Sequence, residues 1–252
     1  MNILISNDDG IDAPGLKVIA ERLKKDGHKV LVIAPDSNRS AVSNHISMFR
    51  NNTVIKKDEN SYSHSGYPAD CIFTGVTANM LDSVDVVIAG INSGGNMGTD
   101  VIYSGTCAVA REGANSNIPS IALSAEPLVI RQPIENYKFD AIADFAAENL
   151  DKLIAICKSS EQKAFVNVNA LAVESHKGVR FTDRLCRRNY KDRIELVPSE
   201  DNAYEARFIG SPPDLSNLEE GTDLYYCRNG YIAVSLVKVM PECVQIQDSL
   251  KF

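Results

Sequence analysis

The chain has 252 residues, enough for one large core or for one core with a smaller appended unit. Hydrophobic residues make up 44% and charged residues 23%, the balance of an ordinary globular protein, and a net charge of −7 excludes broad binding to nucleic-acid backbone. A small anionic ligand is not excluded, because a local cationic or metal-bearing site can dominate the field around it.

Asn2–Ser6, carrying Ile3, Leu4 and Ile5, reads as a short buried strand. After Asn7-Asp8-Asp9-Gly10 comes a loop, then Pro14, a residue favoured in the first turn of a helix. Leu16, Ile19, Ala20 and Leu23 recur at helical spacing, with Gly27 as the expected C-terminal cap. Val30–Ala34 is a second buried strand. Strand, helix, strand in this order form a βαβ unit, so the sheet is parallel and the crossover right-handed.

The alternation repeats. Val84–Ala89 is a strand, a glycine-rich loop follows, and a helix is expected over Thr106–Asn115. Ser120–Ser124 is a further strand, Phe139–Ile156 one long amphipathic helix, and Ala164–Val168 another strand. The predicted fold is α/β, a Rossmann-like, doubly wound and mostly parallel sheet. Beyond about residue 175 polar residues dominate, Gly210-Ser211-Pro212-Pro213 reads as a turn, and Tyr231–Val239 is a strand without a crossover helix or a local partner for its edge. Residues 1–175 are therefore expected to form the catalytic core, and 176–252 a β-rich extension packed on it that makes oligomer contacts.

None of the six cysteines forms a CxxC pair, and buried free thiols fit them better than disulfides. The opening Met1-Asn2-Ile3-Leu4-Ile5 is too short for a signal segment, and no apolar run approaches the ~20 residues a bilayer span needs. The expectation is a cytoplasmic, reduced protein with no membrane partner.

Ligands of doubly wound sheets sit beyond the carboxyl ends of the strands. Oxygen-bearing residues gather on three such loops: Asp8-Asp9, Asp36 to Ser40, and Asn92 to Asn96. Adjacent carboxylates repel unless a cation lies between them, and two aspartates with amide and hydroxyl oxygens suit Mg²⁺ or Mn²⁺. The bland alternative is a solvated turn before a helix. The stretch Gly90–Gly98 would let backbone approach a ligand, but it is neither a Walker A loop nor a dinucleotide fingerprint. Ser104-Gly105-Thr106 opens a helix whose free N–H groups favour phosphate, and Ser104 or Thr106 could instead be only a cap. No Ser-His-Asp arrangement is evident, and a surface or packing role suits each of the four histidines. Chemistry would then rest on a metal, which lowers the pKa of water and neutralises phosphoryl oxygens.

Asn7–Gly10 after the first strand resembles the opening motif of the survival-protein SurE family. Ala34 to Ser40, Gly66 to Cys71, Gly90 to Asp100, Tyr103–Thr106 with Glu112-Gly113, Thr182 to Arg188, Glu220–Asp223 and Gly230-Tyr231 resemble its later motifs in order. The resemblance implies a 5′-nucleotidase acting on nucleoside monophosphates, with some members also hydrolysing 3′-nucleotides or polyphosphate, and a link to stress survival. It implies one divalent metal per subunit on Asp8, Asp9, Ser40 and Asn92, phosphate contacts from Asn96 and Ser104, and a homodimer or homotetramer that exchanges C-terminal β elements. Asp8 and Asp9 are then the catalytic pair, with Gly105 and Thr106 beside Ser104 at the phosphate.

Two other classes stay open at this point. A haloacid-dehalogenase-like phosphatase also puts aspartates after its first strand, but its nucleophile would fall on Asn7. A nucleotide-sensing module without turnover is the other. The cluster Arg184, Arg187, Arg188, Lys191 and Arg193 is either a solvated face or a guide for an anionic substrate.

Overall fold

The computed structural model describes residues 1–129, 132–187, 190–200, 202–210, 215 and 218–243. Strands β1 (Asn2–Ser6) and β2 (Lys29–Pro35) flank helix α1 (Pro14–Lys25), as the βαβ pattern requires. Gly27, just past α1, has φ +82°, a left-handed conformation that costs glycine little. A hairpin follows, β3 (Val54–Asp58) with β4 (Ser61–His64), and then helix α2 (Pro68–Thr77). These three elements were not expected, although α2 carries its own start signal. Pro68 occupies its first turn, and the Asp70 carboxylate accepts the Tyr67 N–H at 2.8 Å.

The second half of the sheet begins with β5 (Val86–Ser93). The short helix α3 (Asp100–Tyr103) and helix α4 (Gly105–Asn115) come next, then β6 (Ser120–Glu126). The single helix expected over Phe139–Ile156 is two, α5 (Asp140–Glu148) and α6 (Leu150–Lys158). Asn149 separates them. Its side-chain amide donates to the Phe145 carbonyl at 3.0 Å, and its φ of −115° leaves the helical region. Asparagine competes in this way with helix hydrogen bonding, and apolar periodicity does not register it.

After β7 (Ala164–Leu171) the chain makes β8 (Val179–Phe181), the hairpin β9 (Arg193–Pro198) with β10 (Tyr204–Ile209), helix α7 (Asp223–Arg228) and β11 (Ile232–Lys238). The expected turn at Gly210–Pro213 lies, apart from Gly210, outside the described residues. The main sheet has nine strands in the order β3-β4-β2-β1-β5-β6-β7-β11-β8. From β4 to β7 all neighbours are parallel. The final strand does have local partners: β11 pairs antiparallel with β7 and parallel with β8, so both its edges are covered within the chain.

Helices α1, α5 and α6 cover one face of the sheet around Ile5, Val32, Ile88 and Val168, and α2 and α4 cover the other around Leu4, Ile33 and Val87. The central strands are buried on both faces and therefore read as continuous apolar runs. Strand order reverses at β1, whose neighbours β2 and β5 lead the chain in opposite directions across the sheet. The crevice at the carboxyl ends of β1 and β5 is thus the switch point where such folds bind ligands. Among the described residues, no helix is long and apolar enough to cross a membrane, and all six cysteines are free, five of them buried.

Candidate active site

The loop after β1 is folded by its own polar groups. Asn7, fully buried, accepts the Gly10 N–H at 3.2 Å and donates to the Gly10 carbonyl at 2.9 Å. Gly10 has φ +105° and lies against the Ser37 backbone, so this turn favours glycine. The clasp points the two following carboxylates into the switch-point crevice. Asp8 also accepts the Arg39 N–H at its carbonyl (2.7 Å), and Asp9 Oδ2 accepts the Ser93 N–H (2.9 Å). Those two bonds draw the loop after β2 and the end of β5 onto the end of β1.

Asp8 is only 4% exposed. Burial raises its pKa from the ordinary 3.8 to about 6, the Thr106 hydrogen bond lowers it, and the neighbouring Asp9 charge raises it. Thr106, fully buried in the first turn of α4, donates its hydroxyl to Asp8 Oδ1 at 2.5 Å. Gly105 permits this approach, because a Cβ there would lie 2.6 Å from the Asp8 Cβ. Thr106 was expected at the phosphate, but its hydroxyl is committed to Asp8, which leaves its backbone N–H as the group able to face an anion.

Ser104 caps α4, accepting the Cys107 N–H at 2.9 Å on its hydroxyl oxygen. The hydroxyl proton is not used by that bond. The first-turn N–H groups of Gly105 and Thr106 have no acceptor within the helix. Asn92 donates its amide to the Gly94 carbonyl at 2.8 Å, a bond that does not use its side-chain oxygen. Asn96 is 6% exposed and is held by the Ser124, Asn167 and Asn169 side chains.

Six of the eight expected site residues, Asp8, Asp9, Ser40, Asn92, Asn96 and Ser104, line one cleft of about 770 Å³. Gly105 and Thr106 are not among its lining residues but adjoin Asp8, which is. Sequence reasoning gave no site role to several other lining residues, among them Asp100 and Tyr103 on α3, and Tyr190, Asp192 and Phe208 from the region after residue 176. Arg187 also lines this cleft, whereas Arg184 pairs with Glu219 and Arg193 is exposed at the start of β9. Arg188 lies outside the described residues. Asp223, 1% exposed, accepts the Gly98 N–H (2.7 Å) and the Cys186 N–H (2.8 Å), which ties the glycine-rich loop to the segment bearing Arg187. Glu126 accepts the Gly95 N–H at 3.0 Å. No histidine is among the described residues that line the cleft, and His64, for instance, is fixed by Gly66 and Thr74.

The donor set is two carboxylates with hydroxyl and amide oxygens, all hard ligands. Asp8 is buried beside the less buried Asp9, and burial first, then the Asp9 charge, raises the Asp8 pKa, so a counter-charge at this corner would be stabilising. The residues fit a hard divalent cation.

A family model described as the survival protein SurE matches residues 3–192. The chain belongs to the SurE family. Relatives named 5′-nucleotidase SurE include those of Actinobacillus pleuropneumoniae, 40% identical over 94% of each chain, and of Clostridium botulinum, 36% identical over 93% of this chain and 92% of that one. The SurE protein of Aquifex aeolicus, a crystal structure, superposes with a TM-score of 0.79 at 32% identity, covering 95% of this chain and 94% of that one. The expected α/β fold holds. The stretch that matches the SurE model contains all eight expected site residues, Arg187 and Tyr190, and stops before Phe208.

Proposed function

We propose that the chain is a divalent-metal-dependent 5′-nucleotidase that hydrolyses nucleoside monophosphates to nucleoside and phosphate. The observation that carries this reading is one cleft at the switch point that gathers the Asp8–Asp9 pair, neutral oxygens from two other strand-end loops, and the open first turn of α4. Family membership and the names of its relatives support the reaction class.

In this reading Asp8, Asp9, Ser40 and Asn92 hold one Mg²⁺ or Mn²⁺ per subunit. Bound there, the cation supplies Lewis-acid neutralisation of the phosphoryl charge. The phosphate is oriented by Asn96, by the Ser104 hydroxyl and by the N–H groups of Gly105 and Thr106, where the positive end of the α4 dipole favours an anion. Thr106 fixes the rotamer of Asp8, and the Ser93 N–H fixes that of Asp9. A haloacid-dehalogenase-like route would need a nucleophile at position 7, where a buried Asn7 clasps Gly10. We extend the proposal to a cytoplasmic homodimer or homotetramer with no nucleic-acid polymer as partner. Its contacts would come from the region 176–252, where Leu196 and Tyr204 lie exposed.

The test is phosphate release from a panel of nucleoside 5′-monophosphates, with 3′-monophosphates and inorganic polyphosphate as comparators. Turnover fastest on the 5′-monophosphates supports the reading. Binding without turnover on every member would instead identify a nucleotide-sensing module.

A further inference from the structure

Strand β7 carries two polar side chains in a run that is otherwise apolar and buried throughout. Asn167 is fully buried and Asn169 nearly so, and their spacing of two puts them on one face of the strand. Buried carboxamides are unfavourable there unless their hydrogen bonds are made. Both bind one residue of the glycine-rich loop. Asn169 Oδ1 accepts the Asn96 N–H at 2.8 Å, and the Nδ2 groups of Asn167 and Asn169 donate to the Asn96 carbonyl at 2.9 and 3.2 Å. Ser124, the fully buried partner of Asn169 on β6, accepts an Asn96 Nδ2 proton at 2.8 Å.

These bonds fix the main chain and the carboxamide of Asn96 together. They use one of its two Nδ2 protons, so the second proton and Oδ1 are what it brings to the cleft it lines. Asn167 also reaches the other half of the phosphate site. The Cys107 thiol, fully buried in the first turn of α4, donates a weak bond to Asn167 Oδ1 at 3.9 Å. The Cys107 N–H in turn donates to the Ser104 hydroxyl. One carboxamide thus joins Asn96 to the turn that bears Ser104, Gly105 and Thr106. The carboxylates and Asn92 are held by different bonds, from Thr106, Ser93 and the Gly94 carbonyl.

We propose that Asn167, Asn169 and Ser124 are positioning residues for phosphate, a shelf that keeps Asn96 and the first turn of α4 in fixed register so that both address one phosphoryl group. This rests on the phosphate contacts of the reading given above. Donors ordered in advance bind more tightly because less freedom is lost when the anion arrives.

The test titrates inorganic phosphate by calorimetry into Mg²⁺-loaded protein, and Mg²⁺ into phosphate-free protein. Asn167→Leu, Asn169→Leu and Ser124→Ala each remove shelf bonds, while Val168→Ala, buried on the opposite face of β7, is the destabilised control. Each shelf variant should bind phosphate on the order of 10- to 100-fold more weakly and bind Mg²⁺ as the parent does. Val168→Ala should melt at a lower temperature yet keep the parent's phosphate affinity. Ser124→Ala removes a single hydroxyl and decides the matter if a leucine variant does not fold. Unchanged phosphate affinity in the shelf variants, or equal losses of phosphate and Mg²⁺ binding, would overturn the shelf. So would a loss of phosphate affinity in Val168→Ala as large as theirs. Turnover of adenosine 5′-monophosphate by the parent separates this from the hydrolytic reading. Selective loss of phosphate affinity in a protein without turnover keeps the shelf and sinks that reading. Turnover with level phosphate affinity across the variants does the reverse.

Discussion

Thr106 Oγ1 donates to Asp8 Oδ1, joining the first turn of α4 to the end of β1 in the interior of the protein. The bond favours the charged form of Asp8 against its burial. Thr106→Val keeps the shape and removes the donor. Hydrogen bonds to charged groups contribute about 1.5–3 kcal/mol, so kcat/KM should fall on the order of 10- to 100-fold. The pH–rate profile should shift upward, with a larger deficit at pH 6 than at pH 8. Thr106→Ser should restore the profile, and a valine variant with an unshifted profile would remove this role.

Asp8 itself makes the metal-free protein less stable once ionised. Its folded pKa of about 6 exceeds the ordinary 3.8 because of burial first, with the Asp9 charge adding to it. The folded state therefore binds the proton more tightly, and stability is lost as pH rises from about 4 through 6. Asp8→Asn cannot ionise, so at pH 8 the metal-free variant should exceed the parent by up to about 3 kcal/mol, and by little at pH 4. Thermal melting of the stripped proteins at the two pH values measures this, and a parent more stable than the variant at pH 8 contradicts it.

Replacing Asn92 by Asp should harm phosphate binding more than metal binding. With Asp8 and Asp9 already neutralising a divalent cation, a third carboxylate about 5 Å from the phosphate would repel each unit of its charge by roughly 3 kcal/mol at an effective dielectric near 20. Metal attraction and solvent offset part of this, so the expected loss in kcat/KM is on the order of 10- to 100-fold. Metal affinity by calorimetry should stay level or rise. If kinetics and affinity both match the parent, Asn92 is a turn residue only.

Arg187 lines the cleft from the segment anchored by Asp223. Arg187→Gln should lower kcat/KM at low ionic strength and matter less at high salt, since the Debye length is only ~3 Å at 1 M. A loss independent of salt would mean direct contact with the substrate.

Much of this site was legible because its parts follow strongly apolar strands. Asp8 and Asp9 follow a buried apolar run, and Ser104 is an N-cap type of residue just before the helix expected over Thr106–Asn115, so chain order alone places them at strand and helix ends. Phe208 was not legible. It is one exposed aromatic in a hairpin, and only the tertiary path of β10 carries it to the cleft. The Thr106 hydroxyl's bond to Asp8 was not legible either, because first-turn position does not reveal side-chain direction. The pairing of β11 with β7 and β8 escaped as well, since a strand without a crossover helix gives no sign of which edge it joins.

The most direct measurement is turnover of one nucleoside 5′-monophosphate by protein stripped with chelator, before and after Mg²⁺ or Mn²⁺ is restored, for the parent and for Asp9→Asn. The parent should lose activity on stripping and recover it with metal. Asp9→Asn should remain on the order of 10³-fold slower at every metal concentration. Full parental turnover in excess chelator, or near-normal turnover by Asp9→Asn, would contradict a cation held by the carboxylate pair.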